Sequence, residues 1–469
     1  MSMQTPLLHD DELNPGEPQV HDGFGEELPG RVETHNFIKR TWYRHKRACL
    51  LLLAASTATV ALVIILVTVL TTKRTANEDT GIIPPEDEKL ASDPRLEKYQ
   101  TLADTLFCAD WIEDDSSRTA LSTASFSLPP ETNLTFFLSR GGPTFGHFYI
   151  SDERAPSGEI TVDVLAQYED TEEGRAELER SKACFAGQEN EQGIMLWADS
   201  DAALSHVKFN ISVHLPDIQG FHDISTDLTN GVFSHFIESF FDIWRPTYFG
   251  VVRLNARNAR MYVGTVFAAS IFVQTSNAEI KGSFWATESI ALQTSNAAVF
   301  ATLWTIGQHD EAETDVSVRN SNGPITAGFS MASDFSHTKL NASMYTSNGN
   351  LSIFSPRFGM PAEKPIFLLD ASTSNAPVSF YLQPDFEGTF DLETTIGTAS
   401  VDYNPDERDG KGRKRVVDMH RANEKSHKAG SIYWGDEPPK EDQGDIRLRS
   451  TKKDIVIKTS DSSQMDLFT

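Results

Sequence analysis

The sequence contains few of the residue patterns that carry catalysis. Only three cysteines occur in 469 residues, and Cys-x2-Cys, His-x3-His, Gly-x-Ser-x-Gly and phosphate-loop motifs are absent. These absences argue against a zinc site, an α/β-hydrolase nucleophile and a nucleotide-phosphate site. The histidines are scattered, and the densest group, His206, His214, His222 and His235, is typical of surface or hydrogen-bonded strand positions. We expect no cofactor, no metal and no catalytic residue.

Basic side chains are also scarce. Lys and Arg number 41 against 67 Asp and Glu, which gives a formal charge of −26. The excess acid is concentrated in residues 75–203. Because binding to a nucleic-acid backbone needs a basic face, nucleic acid is not an expected partner.

One long apolar run separates the two ends of the chain. From Ala48 to Leu70 no residue is charged, and as a helix this run would reach roughly 35 Å, enough to cross a bilayer. It begins only at residue 48 and no small-residue cleavage site follows it, which argues against a signal peptide. The run predicts a transmembrane signal anchor over residues 48–72, with the lipid bilayer as partner.

The charges beside the anchor predict its orientation. Five basic residues lie between positions 39 and 47, whereas an acidic segment follows the anchor, so the N-terminus is expected in the cytosol. We therefore expect a type II protein of the plasma membrane or a secretory-pathway membrane. Residues 1–47 would form a disordered tail with a basic juxtamembrane cluster, and residues 73–100 an acidic, proline-containing stalk.

Cysteines and glycosylation sequons agree with a lumenal or extracellular C-terminal part. Cys108 and Cys184 both follow the anchor and permit one disulfide, although two buried thiols are the alternative. All four sequons also follow the anchor. The predicted glycosylation sites are Asn133, Asn210, Asn341 and Asn350.

Residues 101–220 predict a membrane-proximal β region. Apolar residues alternate in short runs, such as Ile160-Val162-Val164 and Val207-Phe209-Ile211-Val213, which is typical of half-buried strands. The segment from Glu172 to Ala186 is the exception, and its composition favours a short exposed helix or a loop carrying Cys184.

Residues 221–405 contain a repeat marked by Thr-Ser-Asn or a close variant. The marker asparagines, predicted to be repeat corners, are spaced 19, 19, 26, 26 and 27 residues apart: Asn258, Asn277, Asn296, Asn322, Asn348 and Asn375. Thr459-Ser460-Asp461 looks like a late copy.

Three apolar columns accompany the marker. Positions six and four residues before it and three residues after it are apolar in all seven copies except at Gln464, in the late copy. Because the inward positions change from even to odd offsets at the marker, the chain turns a corner there. We expect asparagine to tolerate the left-handed backbone of a tight corner and to satisfy local backbone groups.

Short strands with regular corners predict coils stacked as a β-solenoid, with Thr and Asn ladders at the corners. Successive hairpins of a large sandwich are the alternative. Residues 406–430 would be a basic loop inserted into the solenoid. This loop could bind an anionic glycan or the acidic membrane-proximal region, or it could be cleaved at a processing site at Lys414-Arg415. A loop that is simply solvated is the alternative. Residues 431–469 would form the last β repeat.

Several of these elements occur together in one known family. They are the basic residues before a single anchor, the run Phe137-Leu138-Ser139-Arg140-Gly141, the strand end Leu215-Pro216, and the Thr-Ser-Asn repeats. Over most of its length after residue 100, the chain resembles the putative-adhesin family of β-repeat domains, as found in single-pass membrane proteins of fungi. The resemblance implies a surface-exposed, adhesin-like β-solenoid, and it supplies no catalytic residues.

A membrane-tethered carbohydrate-active enzyme of the secretory pathway is the competing class, because type II topology is common among such enzymes. Asp199-Ser200-Asp201 has the spacing of a metal–nucleotide motif, but strand–helix alternation does not surround it. The sequence therefore favours a mainly β ectodomain with a structural or adhesive role, in contact with cell-wall glycan or a surface protein.

Overall fold

The structure is a computed structural model that describes residues 93–113, 120–151, 155, 158–188, 190–198, 206–216, 222–239, 247–333, 335, 337–358, 365–383, 386–409, 411–420, 424–440 and 443–459. The predicted cytosolic tail, the anchor over 48–72 and the stalk as far as residue 92 lie outside these residues. Within them, no helix is both long and apolar enough to span a membrane.

The described residues before position 217 form short strands and a helix. Alternating apolar residues bury one face of strands such as Ile160–Tyr168 and Val207–His214, whereas Leu134–Gly141 is buried on both faces. This first part contains 3₁₀ turns at Pro94–Leu96 and Leu102–Asp104, helix α1 (Glu172–Arg180), and strands β1 (Thr105–Ala109), β2 (Ile112–Glu113), β3 (Ala120–Leu128), β4 (Leu134–Gly141), β5 (Phe145–Ser151), β6 (Ile160–Tyr168), β7 (Lys182–Gln188), β8 (Glu191–Ala198) and β9 (Val207–His214).

The second part begins at β10 and contains the repeats. Its strands are β10 (His222–Leu228), β11 (Val232–Ser239), β12 (Tyr248–Ala256), β13 (Met261–Gln274), β14 (Ile280–Thr294), β15 (Val299–Ile306), β16 (Glu313–Asn320), β17 (Ile325–Ala332), β18 (Lys339–Thr346), β19 (Leu351–Phe358), β20 (Ile366–Thr373), β21 (Val378–Leu382), β22 (Gly388–Thr394), β23 (Ala399–Asp402), β24 (Arg415–Met419), β25 (His427–Trp434), β26 (Gly444–Ser450) and β27 (Ile455–Thr459).

The repeat strands form two ladders of parallel neighbours. The first ladder runs β4-β10-β12-β13-β14-β16-β18-β20-β26-β22. The second runs β5-β11-β13-β14-β15-β17-β19-β21-β27-β23. Each marker asparagine lies where the chain passes from a strand of the first ladder to a strand of the second.

The difference between the short and the long spacings of the marker has a simple structural cause. β13 and β14 have 14 and 15 residues and run through both ladders without a break, so these coils need only 19 residues. Later coils use two eight-residue strands, such as β15 and β16, joined by a loop over residues 307–312. That loop extends the coil to 26 residues.

The three apolar columns lie between the two ladders and form the main core. For the six copies from Asn258 to Asn375, every column residue is buried, with Ala342 the most exposed at 5%. Each fully buried Val, Leu or Ile contributes roughly 1.5–3 kcal/mol relative to an exposed one. Stacking the columns across many coils therefore supplies most of the driving force for this part of the fold.

The late copy of the repeat is shifted relative to the expectation. Thr459 ends β27, and residues 460–469 lie outside the described part. The structural register instead pairs Leu369 with Ile446 and Val378 with Ile455, which places the corner at residues 451–454. The marker-like Asp461 follows β27 instead of preceding it, so aligning the last copy on Asp461 puts Gln464 in an apolar column where the structure has Ile455.

The order of the last coils also differs from the chain order. β26 pairs on one side with β20 and on the other with β22, and β27 pairs in the same way with β21 and β23. The last coil therefore lies between two earlier coils, and β22–β23 is a further coil that lacks the Thr-Ser-Asn marker.

Two boundary regions also differ from the sequence expectations. Residues 93–100, assigned to the stalk, pack on the fold, since Leu96 and Tyr99 join a second hydrophobic cluster with Phe136 of β4. Cys184 lies on buried strand β7, after α1. The basic segment 406–430 contains β24 and the start of β25, which pair antiparallel as a hairpin along β22.

Candidate functional site

The six corner asparagines stand side by side in a hydrogen-bonded row, called here the asparagine ladder. From Asn277 to Asn375, the Nδ2 of each of these asparagines donates to the Oδ1 of the asparagine one coil earlier. The last three of these N–O distances are 2.6 Å. Every amide points its donor in the same direction along the stack.

The threonine of the marker fixes the corner from inside. Thr275 and Thr294 are buried, and their Oγ1 atoms donate to the carbonyl oxygens of Ala259 and Ala278, both at 3.0 Å. These carbonyl groups lie in the corners, outside the strand ladders. The hydroxyl therefore satisfies a buried backbone acceptor and joins each coil to its neighbour.

The corner backbone departs from the expectation of left-handed residues. Of the six corner asparagines, all within the described residues, only Asn258 has a positive φ, at 58°. The other five have no left-handed backbone, and their side chains take part in the amide row. Close approach explains the glycine that follows Asn348, since a Cβ on Gly349 would lie 1.8 Å from the carbonyl oxygen of Gly323.

The four predicted glycosylation sites occupy two kinds of position. Asn133 and Asn350 are exposed, in the turn before β4 and at the corner before β19, whereas Asn210 and Asn341 are half-buried within β9 and β18. The Nδ2 of Asn341 donates to Glu313 Oε1 and, at 3.3 Å, to Asp315 Oδ1. The fold does not bring these four sites together.

Cys108 and Cys184 are joined by a disulfide in the structure. The two residues lie directly opposite each other in the antiparallel pair of β1 and β7. Cys184 is fully buried and Cys108 is exposed. The bond ties the edge strand β1 to the first part of the fold.

A groove on the outward face of the first ladder brings together polar and aromatic side chains that are distant in the sequence. Its volume is about 310 Å³, and it is lined by Arg319, Ser343, Met344, Tyr345, Asp370, Ser372 and Arg449. The residues Arg319, Tyr345, Ser372 and Arg449 form one row across β16, β18, β20 and β26. With neighbouring strands about 4.8 Å apart, the small Ser372 leaves space between the tyrosine ring and Arg449.

Hydrogen bonds to neighbouring side chains hold Arg449 and the hydroxyl of Tyr345 in place. Arg449 Nη1 donates to Asp370 Oδ1 at 3.0 Å and to Oδ2 at 3.3 Å. Tyr345 is 46% exposed, and its hydroxyl lies 3.1 Å from Ser347 Oγ. The groove therefore offers an aromatic surface beside a carboxylate–guanidinium pair and two serine hydroxyls.

Comparison with known proteins gives structural likenesses only. No family model and no curated protein matches the chain. A putative adhesin of Bacteroides fragilis NCTC 9343 is 11% identical, covering 73% of this chain and 98% of that one, with a TM-score of 0.28. A putative adhesin of Parabacteroides distasonis ATCC 8503 is 9% identical, with coverages of 73% and 98% and a TM-score of 0.23. A putative lipid binding protein of the same strain is 9% identical, with coverages of 74% and 99% and a TM-score of 0.24.

The sequence did not reveal the groove, because its residues come from four strands spread over 130 positions. Only the pairing of β16, β18, β20 and β26 makes them neighbours. A signal existed in the outward positions of β18, where Ser343 and Tyr345 alternate with the buried Ala342 and Met344. Asp199-Ser200-Asp201, the metal–nucleotide motif weighed from the sequence, lies outside the described residues.

The surroundings of His235 strongly change its pKa. It is completely buried on β11, and burial lowers its pKa to about 4. Its Nδ1 lies 2.9 Å from the carbonyl oxygen of Phe233, and its Nε2 lies 3.0 Å from Thr226 Oγ1. A neutral ring that donates from Nδ1 and accepts at Nε2 satisfies both contacts, so His235 has a structural role.

Charged residues attach the N-terminal segment of the described chain to the first ladder. Arg95 binds Asp93 through Nη2 at 2.7 Å and Asp223 of β10 through Nη1 at 3.0 Å. Burial alone would raise the pKa of Asp93, but its hydrogen bonds to Arg95 lower that pKa below the ordinary value. Arg140 Nε also donates to the carbonyl oxygen of Tyr99 at 3.0 Å.

Proposed function

We propose that the protein is a type II, single-pass membrane protein whose β-solenoid ectodomain adheres to a glycan through the groove of the first ladder. On this proposal it is a non-catalytic, glycosylated surface or secretory-membrane protein, related to the adhesin-like membrane proteins of fungi. The glycan would belong to a cell wall or to a surface glycoprotein.

The exposed ring of Tyr345 beside polar groups is the observation that carries the proposal. A sugar ring has an apolar C–H face and a rim of hydroxyl groups. The tyrosine ring can pack against the apolar face of the sugar, and Ser343, Ser372 and the Asp370–Arg449 pair can hydrogen-bond to its hydroxyl groups. Ligand sites usually combine an aromatic surface with a few fixed polar groups in this way. The parallel pairing of β16, β18, β20 and β26 holds these groups in register.

Two features support the other parts of this proposal. The alternation of successive strands between two parallel ladders, with inward apolar columns, favours a solenoid over stacked hairpins. The carboxylate that lines the groove, Asp370, is bound to Arg449. Hydrolysis of a glycosidic bond ordinarily needs two carboxylates on opposite sides of that bond, so this groove favours binding over turnover.

The test is binding of the purified ectodomain to a glycan panel, with Tyr345→Ala as the variant. Removing a central aromatic contact should weaken binding at least about tenfold. Tyr262→Ala is the matched control, because Tyr262 is exposed to 47% on the second ladder and should bind as the wild type does. Equal binding by Tyr345→Ala would contradict the proposed site, and release of sugar from any panel member would favour the enzyme.

A further inference from the structure

Strand β18 carries a glycosylation sequon on the same face as the groove. Asn341, Ser343 and Tyr345 occupy successive outward positions of β18, separated by the buried Ala342 and Met344. Same-face neighbours on a strand are about 7 Å apart, so Asn341 lies one such step from Ser343 and two from Tyr345. A glycan on Asn341 would therefore start at the edge of the groove.

The side-chain amide of Asn341 is committed to other contacts in the unmodified chain. A primary amide has two N–H donors, and Nδ2 of Asn341 contacts Glu313 Oε1 and Asp315 Oδ1 of the neighbouring strand β16. Glycosylation forms a bond between Nδ2 and the anomeric carbon of a sugar. The bond between the anomeric carbon and the lipid pyrophosphate of the donor breaks, so the lipid pyrophosphate leaves, and Nδ2 loses one of its two protons.

After that reaction Nδ2 retains one N–H, so only one of the two carboxylates can keep its hydrogen bond. The other must be released toward water, and the sugar must leave the crowded β16 side. On β20, Leu368 lies opposite Asn341 and Asp370 lies opposite Ser343, so the path along the outward face of β18 leads over Ser343 into the groove.

We propose that a glycan attached to Asn341 covers the groove and so controls whether it can bind. The inference rests on the proposed function, because it concerns access to the same groove. Attachment to Asn341 competes with docking of β18 on β16, so occupancy is decided while the coil is still unpaired. Chains without this glycan have an open groove, and chains with it have a closed one.

The test measures access to Tyr345 directly and needs no ligand. The full-length chain, expressed in a glycosylating host and purified in detergent, is treated with a tyrosine-nitrating reagent. Mass spectrometry then gives the nitration of Tyr345 relative to Tyr262, whose exposed fraction in the unmodified chain is nearly the same. In molecules that carry the Asn341 glycan, nitration of Tyr345 should be about tenfold lower than that of Tyr262, because an attached glycan is bulky.

Two variants without this glycan should restore nearly equal nitration of the two tyrosines. Asn341→Gln removes the acceptor, and Ser343→Ala removes the sequon while leaving the Asn341 amide and its contacts intact. Asn133→Gln is the matched control, since Asn133 precedes β4 far along the ladder, and it should leave the wild-type difference unchanged.

Each other outcome has a defined meaning. Glycans on Asn133 and Asn350 with none on Asn341, or equal nitration despite an Asn341 glycan, would overturn this inference alone. The absence of glycans from all four sequons would overturn the membrane orientation in the proposed function. A groove that is open in Asn341→Gln, which leaves every lining residue unchanged, but binds no glycan would contradict the proposed function and leave the control of access standing.

Discussion

Breaking the asparagine ladder at its centre should cost about twice as much as breaking it at its end. Asn322→Ala removes the donation from Asn322 to Asn296 and the donation that Asn322 receives from Asn348. Asn375→Ala removes only the donation from Asn375 to Asn348. At about 0.5–1.5 kcal/mol for each net hydrogen bond, and nearer the lower value for exposed amides, we expect losses of about 1–2 and about 0.5–1 kcal/mol.

The measurement is urea unfolding of the chain from residue 81 onward, monitored by tryptophan fluorescence. Asn322→Asp adds a test of direction, because a carboxylate can still accept from Asn348 but cannot donate to Asn296. It should lose more stability than a single hydrogen bond would explain, since two acceptor oxygens then face each other. If the central and terminal alanine variants lose equal stability, or neither loses any, the amide row does not stabilise the stack.

Two further predictions concern stability. Because an unfolded histidine titrates near pH 6.5 whereas burial lowers the pKa of His235 to about 4, the unfolded chain takes up the proton first as the pH falls. The free energy of unfolding should therefore decrease by about 3 kcal/mol between pH 6.5 and 4. Urea unfolding of His235→Gln across this range should show a smaller decrease. The same pH dependence in the variant and the wild type would contradict a buried neutral ring. Cys108→Ser should lower the stability by about 2–4 kcal/mol, measured by thermal unfolding, and a reductant should bring the wild type to the same midpoint without affecting the variant.

The repeat was predictable because its signal is local and periodic. Val273, Ile280 and Leu292 lie in columns fixed by the two-residue period of a strand, and the marker shows where that period changes phase. The corner position of Asn277 follows from the same pattern. Its hydrogen bond to Asn258 depends only on neighbouring coils being in register, which the equal 19-residue spacings on both sides of Asn277 already suggest.

The order of the last coils and the groove were not predictable in this way. Parallel pairing leaves no mark in the sequence of either strand, so nothing local indicates that Ile446 lies between Leu369 and Phe390. The chance resemblance of Thr459-Ser460-Asp461 to the marker then shifted the last copy. The groove depends on the same long-range pairing, because Arg449 reaches Tyr345 only through that coil.

Because the last coil lies between two earlier coils, the stack can close only after β26 and β27 have been synthesised. β22 and β23 leave the ribosome before β26 and β27, yet β26 is the parallel strand that joins β22 to β20. Until residue 459 has emerged, β20 and β22 therefore present edges with no parallel neighbour between them, and such edges favour aggregation. A chain that stops before β26 would lose an internal layer rather than an end. These open edges therefore distinguish incomplete chains from complete ones.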